Sequence, residues 1–276
     1  MLQFGTLYAC IKVDGILPTA YGIETIAEEK KVTCWIPSEV GKTFSIVWQD
    51  TYEFRNYHQA GYVTIDGVPI CGTTLPPLKI GEPLSYANCT SELTHLRTSD
   101  TSGRLLTFSN LQLTDDDTYI RSTLMGLGEI VLSIWRAEVI CEVPLRPSQA
   151  MLNQVVHERT KKAYSHCVGF GNEVALPLIQ GLDLRRVGTM PLATFVFRYR
   201  PLDRLIADGI APSPIKREVA GDFEGRDRKP DNKTAQELQA LKEHVKKLEK
   251  EIVHYRQSSS KRIKSEDCGE IVDLTN

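Results

Sequence analysis

At 276 residues the chain has room for one large domain or one domain with an appendage, and 41% hydrophobic with 25% charged residues is an ordinary globular composition. A formal net charge of −2 supplies no global field that would recruit nucleic acid or an anionic membrane. Seven scattered cysteines (Cys10, Cys34, Cys71, Cys89, Cys141, Cys167 and Cys268), with no Cys-x-x-Cys pair, point to reduced thiols and away from a disulfide framework or zinc ribbon.

The opening MLQFGTLYACIKVDG has no basic stretch followed by a long apolar one, so no signal peptide is expected. Its TLYACIKV portion alternates and ends at Asp14-Gly15, a favoured turn pair. KVTCWIPS and KTFSIVWQD flank Glu39-Val40-Gly41 and predict a hairpin. GYVTIDG followed by VPICGT predicts a second one, turning at Asp66-Gly67. GRLLTFSN, GEIVLSIWRAEVI and ATFVFRYR add strands rich in Val, Ile, Phe and Trp. Helical periodicity is confined to QAMLNQVVHERTKKA and PLDRLIADG. The longest strongly apolar run, around EIVLSIW, is far short of a membrane span. These elements predict a mainly β domain over residues 1–212, an antiparallel β-sandwich or flattened barrel.

Beyond it, residues 213–234 are polar and broken by Pro and Gly, which predicts a disordered linker. Residues 235–257 change period. Leu238, Leu241, Val245, Leu248, Ile252 and Tyr255 are spaced alternately three and four apart, a heptad seam. β-branched residues at two a positions and Leu at two d positions favour a parallel two-stranded coil. Glu237 with Lys242, and Glu251 with Arg256, are attractive pairs across such a dimer. The expected state is therefore a homodimer, the alternative being an amphipathic helix packed on the sandwich. Residues 258–276 predict a disordered tail.

Within the body, VTCWIPSEVGKTFSIVWQD, GYVTIDGVPICG, LTDDDTY, GEIVLSIWR, HERTKKAYSHCVGFG and FVFRYRPLDRLIADGIAP occur in order. Together these blocks resemble a large fungal family described only as a domain of unknown function, over about residues 5–212. The resemblance implies a β-rich fold and carries no activity and no catalytic residues.

Few residues in the body point to chemistry. Asp115-Asp116-Asp117 has carboxylates for a hard cation but lacks the alternating ligands and glycine of a calcium loop, so a capped turn is the expectation. His157, Glu158, His166 and Cys167 make HERTKKAYSHCVGF the most polar histidine-bearing stretch. Adjacent strand residues point to opposite faces, so His166 is not expected to activate Cys167. A solvated helix ending in RTKK, then a strand, is expected there. Arg159, Lys161 and Lys162 leave room for a weak nucleic-acid or anion patch. His58 and His95 stand alone, and Trp35, Trp48 and Trp135 sit in apolar strand contexts that predict core positions. With no GxSxG, HExxH or P-loop, no catalytic residue, metal or cofactor is expected. An enzymatic or ligand-binding sandwich built on His157, His166 and the Asp115–Asp117 cluster is the competing reading.

The last residues carry the more specific signal. Ile271-Val272-Asp273-Leu274, preceded by Glu266, Asp267 and Glu270, resembles the motif by which partners bind the small ubiquitin-like modifier SUMO. An extended segment adds a strand to the modifier's sheet while alternate apolar side chains fill a groove, and acidic flanks suit a basic rim. The alternative is a strand that docks on the chain's own sandwich. Ile215-Lys216-Arg217-Glu218 and Ile263-Lys264-Ser265-Glu266 have the form apolar-Lys-x-Glu, similar to the consensus for attaching the same modifier, which makes Lys216 and Lys264 candidate modification sites. The combined expectation is a nuclear or nucleocytoplasmic, non-enzymatic adaptor, with a ubiquitin-like modifier or modified proteins as partners and no membrane association.

Overall fold

Two-residue turns set the frame. Asp14 and Asp66 adopt positive φ (46° and 51°), each followed by a glycine at positive φ, so both Asp-Gly pairs reverse the chain as the sequence predicts. The computed structural model describes residues 1–116, 126–144, 155–157 and 165–213, all within the first of two units into which the chain divides, Met1–Pro214. The linker with Lys216, the seam from Leu238 to Tyr255, and the tail with Lys264, Glu270, Ile271, Val272, Asp273 and Leu274 lie outside the described residues, as do Asp117, Arg159, Lys161 and Lys162.

The described chain is mainly β. It runs β1 (Leu2–Phe4), β2 (Leu7–Val13), β3 (Tyr21–Ile26), β4 (Lys31–Pro37), β5 (Phe44–Asp50), β6 (His58–Ile65), β7 (Val68–Leu75), α1 (Tyr86–Cys89), β8 (Thr90–Leu93), β9 (His95–Arg97), β10 (Ser102–Asn110), β11 (Gln112–Thr114), β12 (Glu129–Pro144), β13 (Val155–His157), β14 (His166–Ala175), β15 (Gln180–Val187), β16 (Ala193–Arg200) and α2 (Leu202–Ala207). One layer is β3-β4-β16-β12-β6-β7, with β15 beside the far half of β12. The other layer combines β1-β2-β5-β8 with β14-β10-β9. A Thr43–Thr107 bridge stitches these two sheets together, flanked by hydrogen bonds from the Gly41 N–H to the Phe108 carbonyl (2.8 Å) and from the Phe108 N–H to the Lys42 carbonyl (3.0 Å).

One buried cluster takes side chains from both layers: Ile11, Phe44, Ile46, Trp48 and Phe108 from one, Val32, Ile65, Leu132, Phe195 and Tyr199 from the other. Burying each large apolar side chain contributes about 1.5–3 kcal/mol. Gly61 lets this interior close, because a Cβ there would lie 2.9 Å from Trp48 Nε1 and 3.0 Å from Leu132 Cδ1. A buried guanidinium adds a polar tie. Buried Arg55 donates to the Pro76 carbonyl (3.1 Å) and the Asn88 carbonyl (2.6 Å), tying the end of β7 to α1.

Three expectations are corrected. β4 and β5 do not form a hairpin: Pro37 has no N–H to continue the ladder, and the chain crosses between layers so that Val32, Cys34 and Ile36 share the interior with Phe44, Ile46 and Trp48. The strand pairing is mostly antiparallel, as expected, with parallel pairs of β4 with β16 and of β11 with β13. Where a helix was expected, Val155–His157 is a strand, held by its pairing with β11, because tertiary pairing overrides a weak local period. Of the three tryptophans, only Trp48 is core, at 1% exposure. Trp35 and Trp135 are half-buried. Guanidinium groups cover them, Arg200 at 4.6 Å from the Trp35 ring and Arg186 at 5.3 Å from Trp135. Cys10, Cys34, Cys89, Cys141 and Cys167 are free thiols, and among the described residues no helix is long and apolar enough to cross a membrane.

The two layers are joined at one end by a buried carboxylate. Asp66, 1% exposed in the β6–β7 turn, accepts the Gly128 N–H (2.8 Å) and the Tyr199 O–H (2.5 Å) on Oδ1 and the Val168 N–H (2.8 Å) on Oδ2. Burial pushes this carboxyl upward, and the hydrogen bonds from Tyr199, Val168 and Gly128 pull the other way. Tyr199 is pushed well up by its own burial and by the Asp66 charge, so it stays a donor. Asp66→Asn turns one acceptor oxygen into a donor facing a donor. It is expected to lower unfolding free energy by about 1–3 kcal/mol, read as a shift in urea midpoint at unchanged slope, and Tyr199→Phe by about 1 kcal/mol.

Candidate functional site

At the end of the sandwich where β2, β4 and β16 finish and β14 begins, four pieces of chain leave an open cavity of about 540 Å³. Val13 and Pro18 come from the end of β2 and the segment after it, and Pro37, Ser38, Glu39 and Val40 from the crossing between layers. His166 opens β14, while Pro201, Leu202 and Asp203 lead into α2. Prolines collect here because each segment stops pairing at this end and needs no further backbone donor.

The polar centre is Ser38 and His166, with Ser38 Oγ 2.8 Å from His166 Nδ1. Ser38 is held in turn by its N–H, which donates to the Arg200 carbonyl at 2.8 Å. Burial depresses the His166 pKa below the ordinary imidazole value, opposed by the Asp203 charge. The ring is therefore neutral at pH 7, one nitrogen fixed by Ser38 and the other carrying the opposite hydrogen-bonding role. Asp203 Oδ1 accepts the Arg204 N–H at 2.9 Å, fixing it at the start of α2. A mostly apolar cradle with a few fixed polar groups is the usual form of a recognition site. A serine hydroxyl against a neutral imidazole is also half of a nucleophile–base arrangement, although Ser38 is only 6% exposed.

The residues singled out from sequence do not converge here. Asp115 and Asp116 are exposed after β11, where the Asp116 N–H donates to Thr114 Oγ1 (3.2 Å) as in a capped turn. His157 is buried, with Nε2 3.3 Å from the Asp115 carbonyl oxygen. Only His166 lines the cavity. Cys167 points away and donates to the Asn110 carbonyl at 3.4 Å; burial and the Asp66 charge push its thiol to about 11, which leaves it protonated and unreactive. His95 Nδ1 lies 2.8 Å from Thr94 Oγ1. Among the described residues no group of His, Cys, Asp or Glu is placed to hold a metal. Ser38, Glu39 and Asp203 were not legible as a site. The available signal was a proline closing a strand pattern in both IPSEV and YRPLD.

His166 makes stability depend on pH in a definite sense. A histidine whose folded pKa is depressed binds its proton less readily folded than unfolded, so its contribution is fully present above the unfolded value near pH 6.5 and is lost as pH falls below it. An NMR titration of the ring is expected to give a midpoint below 6.5, and His166→Gln to flatten the fall in urea midpoint between about pH 7 and pH 5.

Searches for similar curated proteins and for similar solved structures found no match. A family model described as a domain of unknown function (DUF7918) matches residues 6–214, a span that takes in every described strand after β1 and every residue of the cavity. The chain belongs to the DUF7918 family.

Proposed function

We propose that this protein is a non-enzymatic interaction protein of the nucleus or nucleocytoplasmic space, with the β-domain as a partner-binding body, residues 235–257 as a dimerising coil, and the C-terminal segment as a ligand strand for a ubiquitin-like modifier. The observation that carries the reading is the run Ile271-Val272-Asp273-Leu274 behind Glu266, Asp267 and Glu270. Ile271 and its neighbours offer alternate apolar side chains for a groove, and a backbone strand gives a generic grip on a sheet edge. The acids add orientation and a faster encounter with a basic rim.

The heptad seam supports the same reading by a separate physical route. A single flexible strand binds weakly, because ordering it costs conformational entropy. Two strands carried on one parallel coil meet a multiply modified target at high effective concentration, so avidity exceeds either affinity without any new contact. Lys216 and Lys264, each preceded by Ile and followed two residues later by Glu, would let the same modifier be attached to the chain itself.

Titrating isotope-labelled SUMO with the full chain is expected to give saturable shifts along one sheet edge and groove. A control carrying Ile271→Ala, Val272→Ala and Leu274→Ala should lose them, and equal shifts from that control would defeat the reading. Sedimentation should give a dimer mass for the native chain and a monomer mass for Leu241→Pro with Leu248→Pro, accompanied by loss of avidity for a tandem modifier. An unchanged mass in that variant would remove the coil from the mechanism.

A further inference from the structure

The lining of the His166 cavity is one-sided in charge. It holds two carboxylates, Glu39 and Asp203, and no lysine or arginine. The cations nearby are engaged elsewhere: Lys42 with Asp14 at 3.0 Å, and Arg200 and Arg204 with Asp208 at 2.8 and 3.2 Å. Among the described residues neither Glu39 nor Asp203 takes part in an ion pair. Between these acids the wall is apolar, and two of its side chains, Val40 and Leu202, remain 42% and 45% exposed.

We propose that this cavity binds an organic monocation with an apolar body, the chemistry of an arylalkylammonium or of a lysine side chain. The apolar body rests on Pro18, Pro37 and Pro201 and covers Val40 and Leu202, removing their surface from water. The ammonium answers the charges of Glu39 and Asp203, whose Coulomb attraction adds to the apolar contact. His166, neutral at pH 7, adds no competing positive charge. In the tautomer that donates from Nδ1 to Ser38 Oγ, its other nitrogen is an acceptor for an N–H donor. A volume of about 540 Å³ is in the range of small-molecule sites. The site lies wholly in the β-domain and does not depend on the tail, so each reading fails or stands by itself.

The test is a charge series on the full chain, followed by NMR at the His166 ring and the Leu202 methyls. The probes are benzylamine, the neutral benzyl alcohol and the anion phenylacetate. Benzylamine is expected to shift these signals saturably at millimolar concentration, as befits a ligand of few atoms. Benzyl alcohol should bind at least about threefold more weakly, and phenylacetate about tenfold or more. Combining Glu39→Gln with Asp203→Asn, which keeps the acceptor for the Arg204 N–H, should weaken benzylamine about tenfold and leave benzyl alcohol unchanged. Nα-acetyl-lysine methylamide separates the two sources of the cation: tighter binding than benzylamine assigns the site to a lysine of a partner chain, weaker binding to a free amine. The proposal is overturned by phenylacetate binding as well as benzylamine, by an affinity indifferent to the double variant, or by no shift from benzylamine at about 50 mM.

Discussion

A carboxylate out of reach of water holds one end of this sandwich in register. Asp66 sits in the β6–β7 turn, and its two oxygens reach the start of β12 through Gly128, the end of β16 through Tyr199, and the other layer through Val168. An ionised group buried this deeply is tolerated only where donors converge on it. The requirement runs in both directions: the donors stabilise the charge, and the charge ties the β12–β16 pair, where the Tyr199 N–H already meets the Gly128 carbonyl at 2.9 Å, to β14 of the other layer. The left-handed backbone of the Asp66-Gly67 turn is what aims the side chain inward.

The cavity inherits its geometry from that tie. His166 lies two residues before Val168 on β14, and Pro201 two residues after Tyr199. Fixing Val168 and Tyr199 to the same carboxylate therefore fixes the distance between the imidazole and the proline wall. Behind Tyr199 a column of rings continues into the other layer, Tyr199 against Phe108 at 5.1 Å and Phe108 against Phe44 at 4.6 Å. Phe44 directly follows the crossing segment, so the position of Ser38, Glu39 and Val40 is set from below by aromatic packing. It is set from above by the Ser38 N–H on the Arg200 carbonyl. A site supported on several sides in this way is held to the narrow tolerance that recognition requires.

What could be read from sequence divides along physical lines. Strands with apolar interiors, such as β5, β6, β12 and β16, announce themselves because burial and β-propensity act on the same residues. The Asp66-Gly67 hairpin was legible because its turn chemistry is local. β3 and β15 were not, since edge and ribbon strands such as YGIETI and QGLDLRRV are largely exposed and carry little apolar pattern. The parallel pairing of β4 with β16 joins positions more than 160 residues apart, for instance Thr33 with Val196, and no window of sequence contains it. Trp35 and Trp135 were misplaced because an aromatic on a strand reads as core until the arginines that cover it are known to be neighbours.

The same division separates the two proposed binding elements. A cavity whose lining runs from Val13 to Asp203 exists only after folding; none of its residues differs from a structural one until Ser38 is found beside His166 and two acids are found without an ion pair among the described residues. A strand that docks on another protein's sheet needs only its own side-chain alternation and flanking charge, so the proposed tail motif would be complete in Glu270 to Leu274. Substitutions will follow this asymmetry. A linear segment can exchange residues one at a time with graded loss, because each side chain meets the groove independently. The cavity responds as a unit, since anything that loosens the Asp66 tie moves His166 relative to Pro201 and changes the site without touching its lining.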